Sequence, residues 1–318
     1  MGIAFTFPGQ GSQFTGMGKD LAAAFPEARA VFDEVDAALG EKLSRIMWEG
    51  PADRLTLTEN AQPALMAVSL AVMRVLEHQK GWDVKSARFV AGHSLGEYSA
   101  LAAAGSLSVA AAARLLRIRG KAMQEAVPVG QGAMAVLLGV DLEIAAKIAA
   151  EANSATNLVC QVANDNAPGQ VVISGAKAAI DAAMQIGKDY GVRRAMPLPV
   201  SAPFHSALMQ PAAGRMAEAL SEAELKAPAV PLIANVTAQP VSDPEAIRRL
   251  LVEQVTGSVR WRESVAFMAG AGVRLLYEIG AGKVLTGMAR RIDERLTGKA
   301  IGTPEDIAAA GATPAAAT

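Results

Sequence analysis

A single cysteine, Cys160, stands in a chain of 318 residues. Its isolation excludes an internal disulfide and a cysteine-built metal cluster, and it fits a reducing compartment. Net charge is equally scarce, since 30 Lys and Arg against 31 Asp and Glu leave -1. No whole-molecule field exists to hold nucleic acid or an anionic membrane, so any anion site has to be local. Long apolar runs are missing as well. The longest charge-free apolar stretch near the middle, Tyr98 to Ala113, is interrupted by Gly105 and serines. It falls short of the roughly 18 to 20 apolar residues of a membrane span. No basic leader precedes the strand-like Ile3 to Phe7, so no secretory signal is expected and the cytoplasm is the expected location.

What is present points to a chain that buries a large core. Hydrophobic residues make up 51% and charged residues 19%, the opposite of a disordered composition. At a typical 150 residues per domain the length gives about two domains, or one large domain carrying an insertion. Short apolar runs alternate with helical patterns through the first part, the rhythm of an α/β sheet protein. Strand Ile3–Phe7 leads through a glycine-rich loop into an amphipathic helix over Asp20–Leu39. Asn60–Gln79 has helical spacing, and Arg88–Gly92 reads as a buried strand entering a helix directly.

From Gly130 to Leu198 the pattern changes. Strand Ala133–Leu138, helix Leu142–Ala152, strands Leu158–Ala163 and Gln170–Ser174, helix Ala176–Tyr190 and strand Val192–Pro197 follow in the order βαββαβ, the ferredoxin-like split unit. Gly130, Gly132, Pro197 and Pro199 are its expected hinges, giving a small subdomain at 130–198 inserted in a catalytic domain made of 1–129 and 199–318. A cleft between the two is the expected ligand site. Beyond it the pattern predicts helix Ser206–Glu222, strand Pro231–Val236, helices near Asp243–Val255 and Glu263–Ala271, strand Leu275–Ile279 and a helix from Lys283. The tail Ala308–Thr318 is expected to fray.

Two glycine motifs fail as nucleotide sites. Gly9-Gln10-Gly11 has Phe14 where the last glycine of the dinucleotide fingerprint belongs. Gly280-Ala281-Gly282-Lys283 has Tyr277 at the required earlier glycine and Val284 after the lysine. Gly92-His93-Ser94-Leu95-Gly96 succeeds, because G-x-S-x-G lies between a buried strand and a helix. The glycines allow a sharp turn that thrusts the serine hydroxyl out at a helix N-terminus, where N–H groups favour negative charge. The alternative is a helix-capping serine in a glycine-rich turn.

A serine nucleophile needs a base, and the chain has only three histidines. His93 adjoins the serine and is aimed elsewhere by the elbow, and His78 ends a polar helical segment. His205, in Ser201-Ala202-Pro203-Phe204-His205-Ser206, leaves the inserted subdomain at a junction suited to catalysis; the alternative is a helix-end histidine packed on Phe204. On helix Ser108–Glu125, Arg114, Arg117, Lys121, Gln124 and Glu125 share one stripe, whereas Arg119 falls with Ala112, Leu115 and Met123 on the apolar face. A buried guanidinium needs an anionic or hydrogen-bonding partner. Either the protein supplies it, or a substrate carboxylate does.

Five segments, Phe7-Pro8-Gly9-Gln10-Gly11-Ser12-Gln13, Gly92-His93-Ser94-Leu95-Gly96-Glu97-Tyr98, Arg119-Gly120-Lys121-Ala122-Met123-Gln124, Asn166-Ala167-Pro168-Gly169-Gln170 and Val200-Ser201-Ala202-Pro203-Phe204-His205-Ser206, resemble in order and spacing the malonyl-CoA:acyl carrier protein transacylases. The resemblance covers Ile3 to about Arg295. It implies an α/β-hydrolase-like large domain with the ferredoxin-like insertion, and a ping-pong transfer of malonyl from malonyl-CoA to the phosphopantetheine thiol of acyl carrier protein. It makes Ser94 the acylated nucleophile, His205 the base, Arg119 the carboxylate ligand, and the N–H groups of Gln10 and Leu95 the oxyanion hole. The backbone carbonyl of Gln254 would orient His205, and Asn166 and Phe204 would contact substrate. No metal and no cofactor is implied, and a monomer is expected. Ala281 departs from an expected proline. Phe204 resembles the malonyl-selective form of related acyltransferases, where a serine would suggest methylmalonyl. Lys188, Arg193 and Arg194 are candidate contacts for an acidic carrier.

Two rivals remain at this stage. A general serine hydrolase shares Ser94 and His205, and a noncatalytic carrier-docking module shares the fold. The patatin-like alternative requires Asp-Gly, which the sequence lacks.

Overall fold

The computed structural model describes residues 2–200 and 202–312. Ten strands among them form two separate sheets. The strands are β1 (Gly2–Phe7), β2 (Phe89–Gly92), β3 (Gly132–Leu138), β4 (Cys160–Ala167), β5 (Gln170–Ala176), β6 (Arg194–Pro197), β7 (Leu232–Ile233), β8 (Pro240–Val241), β9 (Val273–Ile279) and β10 (Thr297–Ile301).

The large sheet has the order β10-β9-β1-β2-β7-β8, parallel except for β8. Its central strands β1 and β2 are apolar but for Thr6, because both faces are covered. Side chains alternate: Ile3, Phe5, Phe7 and Val90 enter one core with the helices Pro26–Leu39, Thr58–Lys80 and Val109–Glu125. Ala4, Phe89, Ala91 and Ile233 enter a second core with helices Trp261–Gly270 and Val284–Ile292. The small sheet is antiparallel in the order β4-β5-β3-β6, the ferredoxin-like arrangement. Its helices Leu142–Thr156 and Lys177–Ile186 close a third core around Leu137, Ile148, Ile173 and Ile180. The fold is α/β with two subdomains, as the residue pattern predicts.

Several boundaries differ from expectation. The helix expected over Asp20–Leu39 is two, Lys19–Ala24 and Pro26–Leu39, because Phe25 is extended (φ -131°, ψ 119°) before Pro26, which disfavours helix in the residue preceding it. The expected helix Ala176–Tyr190 ends at Ile186, and that from Ser206 starts as a 3-10 turn, Ala207–Met209, before Gln210–Glu222. The strand expected over Pro231–Val236 pairs only through Leu232–Ile233. The C-terminal helix stops at Ile292, and β10 follows it with alternating exposed residues at the sheet edge. Within the expected fraying tail, Ala308 and Ala309 end helix Pro304–Ala309; residues 313–318 lie outside the described residues. Among the described residues no helix is long and apolar enough to cross a membrane.

Candidate active site

Ligands of open parallel sheets bind beyond the C-terminal ends of the strands. Three adjacent ends meet here, with β1 delivering Gln10, β2 delivering Ser94 and β7 delivering Asn235. β1 and β2 finish together, with Phe7 beside Gly92. The elbow after β2 is as tight as its glycines imply. A Cβ on Gly92 would lie 1.8 Å from the Gly96 carbonyl carbon, and one on Gly96 would lie 2.3 Å from Phe7 O. Gly9 presses the first loop against the elbow, since a Cβ there would meet His93 O at 2.7 Å. Ser94 has φ 53° and His205 φ 56°, left-handed values that non-glycine residues adopt at a cost of order 1 to 3 kcal/mol. The two residues carrying the sequence-predicted chemistry are thus both held in strained backbone.

Ser94 Oγ lies 2.7 Å from His205 Nε2. His205 Nδ1 faces two carbonyl oxygens, Gln254 O at 2.8 Å and Gly257 O at 3.1 Å. Two acceptors assign the proton to Nδ1, which leaves Nε2 as the acceptor for the serine hydroxyl. Burial, and secondly the Arg119 charge, depress His205 from the usual 6.5 to about 3. An ordinary histidine titrating near 6.5 is therefore not what the fold provides. His205 stays neutral and proton-accepting throughout the neutral and mildly acidic range.

Arg119 is 1% exposed on the apolar face of the Val109–Glu125 helix. Nη1 donates to Gln62 Oε1 at 2.7 Å, and Nη2 donates to Gln254 Oε1 at 2.8 Å and to Ser94 Oγ at 3.1 Å. No ion pair reaches it among the described residues, and its Nε has no acceptor. Burial lowers its proton affinity, opposed by Tyr98 and Glu97. Both glutamines are held oxygen-first. Gln62 Nε2 donates to Thr58 Oγ1 at 2.8 Å, and Thr58 donates onward to Gln10 Oε1 at 2.8 Å. A buried cation held by neutral amides keeps its charge available to an anion beside the serine.

The helix bearing Arg119 comes this close to Gln62 because residue 120 is glycine. A Cβ at Gly120 would lie 2.4 Å from Glu59 Cα and 2.7 Å from Thr58 O. Gly120→Ala is expected to push the helices apart and destabilise by about 1 to 3 kcal/mol, despite alanine's better helix propensity. Urea denaturation checks this, with the midpoint falling. A raised midpoint would show that the backbone relaxes freely.

Gln10, Leu95, Phe204, Ser94, His205 and Arg119 all line one cavity of about 440 Å³. Among the described residues no acceptor takes the backbone N–H of Gln10 or Leu95. Asn166 is not among that cavity's lining residues but meets one of them, His93, with Oδ1 2.8 Å from Nε2; Asn164 lines the cavity directly. His93 lines the same cavity with its Nε2 engaged by Asn166, and His78 is exposed. Lys188, Arg193 and Arg194 are exposed on the small subdomain. Among the described residues no group of His, Cys, Asp or Glu could hold a metal ion.

Sequence reasoning missed three buried polar residues. Asn235 clamps the elbow from both sides, accepting Ser94 N–H at 2.8 Å and donating to Gly92 O at 2.7 Å. Gln62 is one, marked by its place in the apolar run Asn60-Ala61-Gln62-Pro63-Ala64. Glu97, directly after the elbow, is 1% exposed, and burial raises its carboxyl against the pull of Asn235 N–H, Gln254 and Arg119.

A serine on a strained strand-to-helix elbow, its imidazole partner and a buried guanidinium facing both define a serine-dependent acyl-transfer site in an α/β fold. The acyl transferase domain family matches residues 4–295. The malonyl CoA-acyl carrier protein transacylase of Bacillus subtilis (strain 168) is 48% identical over 305 residues, covering 96% of this chain and 95% of that protein. The crystal structure of acyl-carrier-protein-S-malonyltransferase from Bartonella henselae superposes with a TM-score of 0.94 at 58% identity, covering 97% of this chain and 98% of that one. A malonyl-transacylase solved in complex with its type II PKS acyl-carrier protein gives 0.93 at 43% identity, covering 97% and 98%. The chain belongs to the acyl transferase domain family and, within it, to the malonyl CoA-acyl carrier protein transacylases.

Proposed function

We propose that the chain moves a malonyl group from malonyl-CoA to the phosphopantetheine thiol of acyl carrier protein through a malonyl-Ser94 ester. The observation that carries this reading is Arg119, a buried guanidinium 3.1 Å from the nucleophile whose hydrogen-bond partners among the described residues are two amide oxygens and the serine hydroxyl. It suits a donor with a free carboxylate and distinguishes the reading from a general serine hydrolase. Ser94 Oγ gives its proton to His205 Nε2 as it attacks the thioester carbonyl. The oxyanion takes the N–H groups of Leu95 and Gln10. CoA leaves as thiol with the proton from His205, and the carrier thiol reverses the sequence, returning a proton to Ser94. Gln254 O keeps the imidazole in the required tautomer, and Phe204 walls the acyl pocket.

Residues 1–129 and 199–318 form the catalytic unit in this reading and 130–198 the inserted one. The two crossings run side by side, since a Cβ on Gly132 would overlap Pro203, and Leu198, Pro199 and Val200 line the cavity. In this reading the enzyme works as a monomer and without a cofactor. The free, buried thiol of Cys160 is in keeping with a reducing, cytoplasmic setting. The complex of the similar malonyl-transacylase with its carrier supports acyl carrier protein as the acceptor.

Incubation with malonyl-CoA alone is expected to add one malonyl group by intact mass, mapping to Ser94, and initial-rate plots with carrier protein are expected to be parallel. No adduct, or intersecting lines that demand a ternary complex, would overturn the mechanism.

A further inference from the structure

Gln254 does two separate jobs. Its backbone carbonyl accepts from His205, while its side chain bridges Arg119 to a buried acid. Oε1 accepts from Arg119 Nη2 at 2.8 Å. Nε2 donates to Ser94 O at 2.9 Å and to Glu97 Oε2. The other Glu97 oxygen accepts the backbone N–H of Asn235 at 2.6 Å. Glu97 sits in the first turn of helix Gly96–Ala103, where an acid commonly serves its own helix, yet the groups it accepts from belong to other segments.

An amide can face Arg119 with either its oxygen or its nitrogen, and only the oxygen is useful. We propose that Glu97 is a positioning residue that fixes the Gln254 amide oxygen-first toward Arg119 and thereby sets selectivity for a carboxylate-bearing acyl donor. The inference rests on Arg119 as the carboxylate ligand.

Glutamine at 97 exposes the logic, being nearly isosteric. The backbone N–H of Asn235 cannot reverse, so the new side chain must offer it an oxygen. Its NH2 then points at Gln254 Nε2, donor against donor. Gln254 can relieve that conflict only by flipping, which turns its own NH2 toward Arg119 and its oxygen toward Ser94 O. The guanidinium loses its acceptor and its place beside the serine.

The test compares malonyl-CoA with acetyl-CoA in acyl-enzyme formation near pH 9, where the Glu97 carboxyl, raised to about 8 by burial, is ionised and accepts at both oxygens. Glu97→Gln is expected to lower the malonyl-to-acetyl ratio of kcat/KM by at least about ten-fold, the scale of one charge-assisted hydrogen bond, mainly through KM for malonyl-CoA. Gln254→Ala keeps the carbonyl that His205 uses and is expected to lower the ratio similarly. Adding Glu97→Gln to Gln254→Ala is expected to change it no further. An unchanged ratio in Gln254→Ala overturns the proposal even if Glu97→Gln fails to fold, and so does an equal Glu97→Gln loss in both backgrounds. Arg119→Ala separates the two levels. If its ratio is unchanged, the carboxylate reading fails; if its ratio falls while that of Gln254→Ala holds, only the role of Glu97 and Gln254 fails.

Discussion

Arg119→Ala is expected to cut malonyl transfer by about 10² to 10³-fold or more while acetyl transfer falls far less or improves. The site holds a desolvated guanidinium by two amide oxygens and the nucleophile, with no carboxylate in direct contact among the described residues. A malonyl carboxylate completes that set as a bidentate, charge-assisted pair, and severing a buried pair costs about 3 to 5 kcal/mol, which gives the factor. Acetyl never forms the pair, and alanine removes the cost of burying the charge without it. Lysine at 119 is expected to restore only part of the selectivity, because an ammonium cannot reproduce the planar fork that spans Gln62 and Gln254. The measurement is the malonyl-to-acetyl ratio of acyl-enzyme formation in the three proteins. An unchanged ratio in Arg119→Ala would mean that the carboxylate is read elsewhere.

His205→Ala is expected to slow acylation by about 10² to 10⁴-fold, the usual contribution of a general base, while malonyl-CoA still binds. His78→Ala and His93→Ala are expected to cost far less, since His78 is exposed and His93 is engaged by Asn166. A large loss in His93→Ala with little in His205→Ala would reverse the assignment. The pH profile adds a second reading. With His205 held at about 3, its base form persists from neutrality down through pH 5, so acylation is expected to lack an acid limb near 6.5. The sign for stability is the opposite of a salt-bridged histidine. The unfolded chain takes up the proton near 6.5 and the folded one only near 3, so this group removes stability as pH falls through that window. A bound carboxylate on Arg119 offsets the charge that contributes to the depression, which raises the proton affinity of His205 when substrate is in place.

The residues that the sequence alone determined are those whose signal is local. Gly92 marks an elbow because its steric conflict, with Gly96, lies within five residues, whereas the conflict at Gly96 is with Phe7 on the neighbouring strand. Arg119 stands out because helix phase is a property of a single segment. The βαββαβ order is likewise written in periodicity. The element ends were less legible: Phe25 breaks a helix through a proline effect that an amphipathic pattern conceals, and β10 alternates too weakly at a sheet edge to be seen. Only the tertiary structure decided which groups meet. Gln62, Asn235, Glu97 and the side chain of Gln254 come from four different segments, and none carries a motif that names its partner. Their roles depend on which amide atom faces which donor. The depression of His205 likewise arises from burial and from a charge on another helix. Desolvation and charge-charge coupling belong to the packed assembly, so a chain read residue by residue supplies the chemistry of each group and leaves its strength to the fold.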